Sequence, residues 1–167
     1  GGFHRYATDQ NWLIPHFEKM LYNQANLSYV FAQAYTLTAT KDFKRVACET
    51  LDYVSHKMTN KDGSFYSATD ADSEGEEGLF FIWDKEKIEV LLKEDAEEFI
   101  KLYQVTATGN FEGKNILNLN QPLEDYANEN NIDYNELVDR LATSKKTLWE
   151  AREKRIPPLR DNKVITA

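Results

Sequence analysis

Apolar residues along this chain recur with two different periods. Between residues 15 and 38, Phe17, Met20, Leu21, Gln24, Leu27, Phe31, Ala34 and Tyr35 keep the three-and-four spacing of one helical face. Tyr22, Ala25, Tyr29, Val30 and Leu37 carry apolar character to the other side. The spacing predicts a helix from Pro15 to Thr38, opened by a proline that suits the first turn. A helix apolar nearly all round is expected to be covered on two sides. Phe43, Ala47, Thr50, Leu51, Val54 and Met58 form a second stripe and predict a helix over 41–58, with Lys44, Arg45, Glu49 and Asp52 on its wet face. "TATKD", with Thr40 or Asp42 as cap, joins the two as a tight αα-hairpin. Antiparallel packing would set Phe17, Leu21, Leu27 and Phe31 against Phe43, Leu51 and Val54.

After the turn signal "TNKDGS" the period shortens. Two extended runs, 64–69 and 78–83, flank an acidic, glycine-containing loop and predict a small β-hairpin insertion. Asp84 is expected to cap a helix through Leu92, and helical signals follow over Asp95 to Tyr103 and Pro122 to Asn128, with an irregular loop and brief strand in "GNFEGKNILNLN". Asp133 caps a longer helix to about Arg155, with Leu137, Leu141, Ser144, Leu148 and Ala151 on its apolar face. The expected fold class is mainly α, built of αα-hairpins with a small β-hairpin insertion.

Composition narrows the function classes. At 167 residues the chain can bury one sizeable core. A net charge of −8 argues against nucleic acid and anionic membrane as partners, since both demand clustered Lys and Arg. No apolar run approaches a membrane span. Cys48 is the sole cysteine, expected near the stripe of the second helix; no disulfide framework exists, and a reducing, cytoplasmic setting is expected. With no P-loop, GxGxxG, zinc spacing or GxSxG, no cofactor and no metal are expected. "GGFHRY" starts in mid-motif and "DNKVITA" stops on an apolar run, so the chain reads as a piece of a longer one. An exposed apolar flank, and self-association through it, are expected to follow.

Candidate chemistry gathers in the first 22 residues and in one later loop. His4 and His16 are candidate proton carriers, set against the ordinary use of histidine as a cap or core residue. Arg5 and Arg160 suit carboxylates, hydroxyls or phosphates, or plain surface salt bridges. Trp12 and Trp83 offer flat faces to sugar rings, although packing is the default use of Trp. The loop "DADSEGEEG" invites a calcium reading through Asp70, Asp72, Glu74 and Gly75, but the twelfth position, which demands a bidentate Glu, is Phe81. Asp70 and Asp72, two apart, project to one face if extended and could divide into an acid and a base; a solvated turn is the alternative. Glu74, Glu76 and Glu77 read as solvated.

"GGFHRYATDQNWLIPHFEKMLYNQA", "TLDYVSHKMTNKDGSFYSATDADSEGEEGLFFIW", "TGNFEGKNILNL" and "PPLRDNKVITA" resemble successive segments of the thioredoxin-domain-containing family that includes spermatogenesis-associated protein 20 and its bacterial relatives. The resemblance covers nearly the whole chain and is weakest over 121–150. It implies a longer protein with a thioredoxin-like domain upstream and a large (α/α)6 toroid, similar to the N-acylglucosamine 2-epimerase and six-hairpin glycosidase group. Residues 1–167 would be one part of that toroid. In epimerase-type relatives histidines move a proton beside a carbonyl; in glycosidase-type relatives aspartates serve. The resemblance therefore implies a carbohydrate-active domain, isomerase- or hydrolase-like, acting on a sugar-like ligand, with His4, His16, Asp70 and Asp72 as candidate catalytic groups. A non-catalytic binding or regulatory domain is the alternative. Arg5, Trp12, Asn115, Arg160 and Asp161 sit at segment ends, where loops at the toroid mouth would bind substrate. Antiparallel helices return the chain to its starting level, so His4, Arg5, Trp12, His16, Asp70 and Asp72 are expected around one concave surface.

Overall fold

The computed structural model describes residues 1–164 and divides into two compact units, Gly1–Gly78 with the segment from Pro158 on, and Leu79–Pro157. Residues 165–167, the end of the apolar "DNKVITA" run, lie outside the described residues.

In the first unit, residues 15–20 alternate rather than coil. Phe17 and Lys19 are buried, and His16, Glu18 and Met20 are half-buried. Period two is the signature of an extended chain. Strand β1 (Tyr6–Ala7) pairs with β2 (Pro15–His16), setting Tyr6 opposite His16. Strand β3 (Lys19–Met20) pairs with β4 (Tyr66–Thr69), setting Lys19 opposite Thr69. Helix α1 therefore runs Leu21–Thr38, and the expected start at Pro15 is corrected: strand pairing takes residues 15–16 and 19–20, and the His4 ring meets the Phe17 carbonyl between them.

Helix α2 (Lys41–Tyr53) continues as a π-helical turn, Val54–Met58, which buries Met58 completely. The Phe31 ring meets Phe43 edge-on at 5.7 Å, so α1 and α2 pack as the expected hairpin. Four details differ. Leu51 is 56% exposed, and Cys48 is exposed rather than in the stripe. On α1 the buried residues are Gln24 and Ser28, while Tyr29, Val30 and Leu37 are 67%, 55% and 85% exposed, so the helix is not covered on two sides. On the wet face of α2, Lys44 and Asp52 are exposed while Arg45 and Glu49 are half-buried; Arg45 reaches Glu49 at 3.2 Å and the buried cap candidate Asp42 at 3.0 Å.

The acidic loop folds on itself. Strand β5 (Asp72–Ser73) pairs with β6 (Glu76–Glu77) across the two-residue turn Glu74-Gly75. Both turn residues have positive φ, 56° and 83°. Two positive values mark a type I′ turn, whose twist matches that of its strands. β4 pairs on its second edge with β7 (Arg160–Val164), giving the order β3-β4-β7. The hairpin expected between runs 64–69 and 78–83 is thus corrected, because both edges of β4 are taken by segments remote in sequence.

The second unit holds α3 (Lys85–Leu92), α4 (Ala96–Leu102), α5 (Leu123–Glu129) and α6 (Tyr134–Arg152). Ile88, Phe99, Leu102, Leu123 and Leu137 lie at its centre, each 2% exposed or less. The Asp133 side chain accepts from the amides of Asn135 and Glu136 at 2.9 and 3.1 Å and caps α6 as expected. Leu137, Leu141, Ser144 and Leu148 form its buried face. Past the helix end, the Arg155 guanidinium donates to the carbonyls of Phe80 and Ile82 at 2.9 and 2.8 Å and lies 4.1 Å over Trp83. Burial, followed by the nearby Arg152 charge, pulls Arg155 below its ordinary value.

The chain is mixed: helices dominate, and the strands are short and gathered in small sheets. Among the described residues no helix is long and apolar enough to cross a membrane, and no three His, Cys, Asp or Glu side chains gather as a metal ion would need.

Candidate functional site

The first unit collects its polar and aromatic side chains where β1, β2 and the acidic hairpin meet. Extension of residues 15–20 puts His16 and Glu18 on one face, because side chains two apart share a side. The same alternation sends Phe17 and Lys19 inward. Opposite His16 in the register stands Tyr6, with ring centroids 5.0 Å apart. His16 Nδ1 lies 2.7 Å from Glu77 Oε1 and its Nε2 lies 3.6 Å from Glu18 Oε2. A carboxylate only accepts, so Nδ1 is the donor to Glu77. Glu18 also accepts from Arg5 at 2.8 Å. The hydrogen bonds that the Arg5 guanidinium donates to Glu18 and then Tyr22 hold it above its ordinary value, so it is a fixed cation.

His4 lies on the same strip of chain. Its Nδ1 is 2.8 Å from the Phe17 carbonyl, and its ring meets the Phe17 ring edge-on at 5.2 Å. Trp12 is 85% exposed on the loop between β1 and β2 and carries a positive φ of 58°. The two tryptophans weighed in the sequence separate here: Trp12 stands in solvent, and Trp83 is 2% exposed in the core of the second unit.

Topology brings the acidic hairpin to His16, but through Glu77. Lys19, Thr69 and Arg160 form one row across β3, β4 and β7, so Asp70 follows directly on that row and its amide donates to the Leu159 carbonyl at 2.7 Å. Asp70 and Asp72 are both exposed. Asp72 stands directly opposite Glu77 in the β5–β6 register, where facing side chains are about 5 Å apart at Cβ. Arg160 lies 4.0 Å over the Tyr66 ring and donates to Asn162 at 2.9 Å. Asp161 takes the Lys163 ammonium at 3.1 Å; hydrogen bonds from the Lys163 amide and then its side chain hold that carboxyl below its ordinary value. Asn115 belongs to the second unit, where it is 1% exposed. Its amide donates to the carbonyl of Thr106 at 2.9 Å and accepts from the Thr106 amide at 2.9 Å, so it ties loop to loop.

Sequence reasoning marks the run that holds Glu18 and Tyr6 but gives neither a role, and it reads Glu77 as solvated. Reading 15–20 as extended would have placed Glu18 beside His16. No local signal marks Glu77, because β5–β6 pairing and its docking decide where that carboxylate points.

No protein-family model matches the chain. It is 33% identical over 192 aligned positions to spermatogenesis-associated protein 20 of Homo sapiens, covering 99% of this chain and 24% of that protein. Against spermatogenesis-associated protein 20 of Mus musculus the identity is 34% with the same coverage. A protein of Caenorhabditis elegans is 34% identical over 99% of the chain and 26% of its own length. The chain spans about a quarter of the length of the curated relatives it matches.

Proposed function

We propose that this chain is part of a carbohydrate-active domain and that the cluster around His16 binds a sugar-like, polyhydroxylated ligand. The observation that carries this reading is the His16 imidazole set between Glu77 and Glu18, with Arg5 on Glu18 and the Tyr6 ring alongside. Carboxylates, a guanidinium and an imidazole grip hydroxyls by donating and accepting at once. Aromatic faces cover the apolar side of a sugar ring. The exposed Trp12 is the second such face. In an isomerase or epimerase, His16 or His4 would move the proton beside a carbonyl; in a hydrolase, Asp70 and Asp72 would supply the carboxylates. The similarity to spermatogenesis-associated protein 20, and the motifs quoted for its family, support placing residues 1–167 in an (α/α)6 toroid that follows a thioredoxin-like domain. A lone cysteine and no disulfide framework support a reducing, cytoplasmic setting.

Titrating the chain with glucose, galactose, mannose and glucuronate, read by amide and histidine-ring NMR, tests the reading. Weak binding is expected, with shifts at Arg5, Tyr6, Trp12, His16 and Glu77 that vanish in His16→Ala. No shift at those residues with any of the four sugars overturns it. The non-catalytic alternative draws on one observation, that the Asp70 and Asp72 carboxylates stand in solvent. Sugar incubated with the protein in deuterated water separates the two. Deuterium entering beside the carbonyl, or new reducing ends, supports catalysis; binding with neither supports the alternative.

A further inference from the structure

The strip carrying His4 and Arg5 has few strand partners, yet its backbone groups are met by side chains. Gln24, in the first turn of α1, is fully buried. Its Oε1 accepts from the Phe3 amide at 2.6 Å and its Nε2 donates to the Phe3 carbonyl at 2.7 Å. One amide thus stands in for a neighbouring strand at both groups of Phe3. Lys19, 6% exposed, donates from Nζ to the carbonyls of Gly1 and Gly2 at 2.9 and 3.0 Å and lies 4.6 Å over the Tyr53 ring. Gly2 has φ +78°, and a Cβ there would run into the Tyr53 ring, so the strip is seated close against α2. The Asn23 amide then donates to the Arg5 carbonyl at 2.8 Å.

Burying a lysine and a glutamine costs free energy unless their polar atoms are met. Here both are met by the backbone of residues 1–3. We infer that Gln24 and Lys19 are positioning residues of the candidate site: they fix the backbone of residues 1–3, and through it the place of Arg5 and the tautomer of His4. The tautomer follows from the contact. A carbonyl only accepts, so at 2.8 Å from the Phe17 carbonyl the His4 Nδ1 must carry a proton, and the neutral ring keeps its lone pair on Nε2. A solvent-exposed neutral histidine side chain prefers the opposite, Nε2–H tautomer. The clamp therefore decides which nitrogen of His4 can take a proton. This inference rests on the reading of the His16 cluster as a ligand site, but its test does not need a sugar.

The test is long-range nitrogen NMR of the histidine rings of the chain at a pH where the rings are neutral. Wild-type His4 should show the Nδ1–H tautomer. Gln24→Met keeps the bulk and removes both hydrogen bonds to Phe3; it should shift His4 toward the Nε2–H form while His56, on the π-helical turn, keeps its spectrum. Lys19→Met should move His4 the same way and provides the comparison if Gln24→Met does not fold. A wild-type His4 already in the Nε2–H form overturns the inference. So does a folded variant at either position in which His4 keeps its wild-type tautomer. Loss of all sugar binding with the tautomer change intact removes the sugar reading and leaves the clamp standing.

Discussion

Asp9 holds the loop that presents Trp12. Its Oδ1 accepts from the amides of Leu13 and Ile14 at 2.9 and 2.7 Å, and its Oδ2 accepts from Asn11 at 3.0 Å. These bonds, the one from Ile14 foremost, hold its carboxyl below the ordinary carboxylate range. A depressed folded value stabilises the loop above the unfolded value of about 3.9 and loses that contribution as pH falls through the folded value. The amides of Leu13 and Ile14 should therefore shift as pH is lowered from about 4. Asp9→Asn should abolish that pH dependence, and amide shifts that persist in the variant would assign them to another group. At this scale the sequence was partly legible. His4, Arg5, Trp12 and His16 stand out as polar groups among aromatics, whereas Glu77 looks like any solvated carboxylate until its hairpin is placed.

Elements were legible where local rules act alone. Asp133 is a cap in sequence and in structure, and Asp133→Ala should cost about 1 kcal/mol by urea denaturation. Asp84 occupies the same position before α3 without a side-chain capping bond, so Asp84→Ala should cost clearly less. Equal losses would show that the two caps do not differ. The acidic hairpin supplies a second contrast. Gly78 has φ +75°, and a Cβ there would strike the Phe17 ring, whereas Gly75, at φ +83°, faces open space. Gly75→Ala should cost about 1–2 kcal/mol of left-handed strain. Gly78→Ala should add about 1–3 kcal/mol of overpacking and weaken the docking of the hairpin beside His16. A smaller effect at Gly78 than at Gly75 would contradict this account. Residues 15–20 were misread as helix because Phe17, Met20 and Leu21 satisfy a helical spacing; the burial of Lys19, which no periodicity announces, is what the extended chain achieves.

At the scale of the molecule, burial separates residues that look alike in sequence. Leu137 is fully buried and Leu51 is 56% exposed, although each lies in a leucine-containing stripe. Leu137→Ala should cost about 2–5 kcal/mol and Leu51→Ala under about 1 kcal/mol. A melting temperature equally lowered by both would show Leu51 to be covered in solution. The exposed Tyr29, Val30 and Leu37 on α1 are the flank on which the expected self-association rests. Light scattering should then show mass rising with concentration, and Val30→Glu should reverse it; a strict monomer at high concentration would remove that expectation.

The sequence by itself determined the αα-hairpin of α1 and α2, the capped α6 with its buried face, and the concentration of polar and aromatic groups before α1. Each follows from rules acting over a few residues: side-chain period, cap chemistry and turn residues. Tertiary structure decided the rest. The pairing of β4 with β3 and β7, segments about 50 and 90 residues away, joins rows that no local rule connects. That pairing carries the acidic hairpin to His16, gives Glu77 rather than Asp70 or Asp72 the contact, and sets Lys19 opposite Thr69, where it is buried with its ammonium on the backbone of Gly1 and Gly2. Strand partners and polar burial depend on which chain lies alongside, and only the folded chain supplies it.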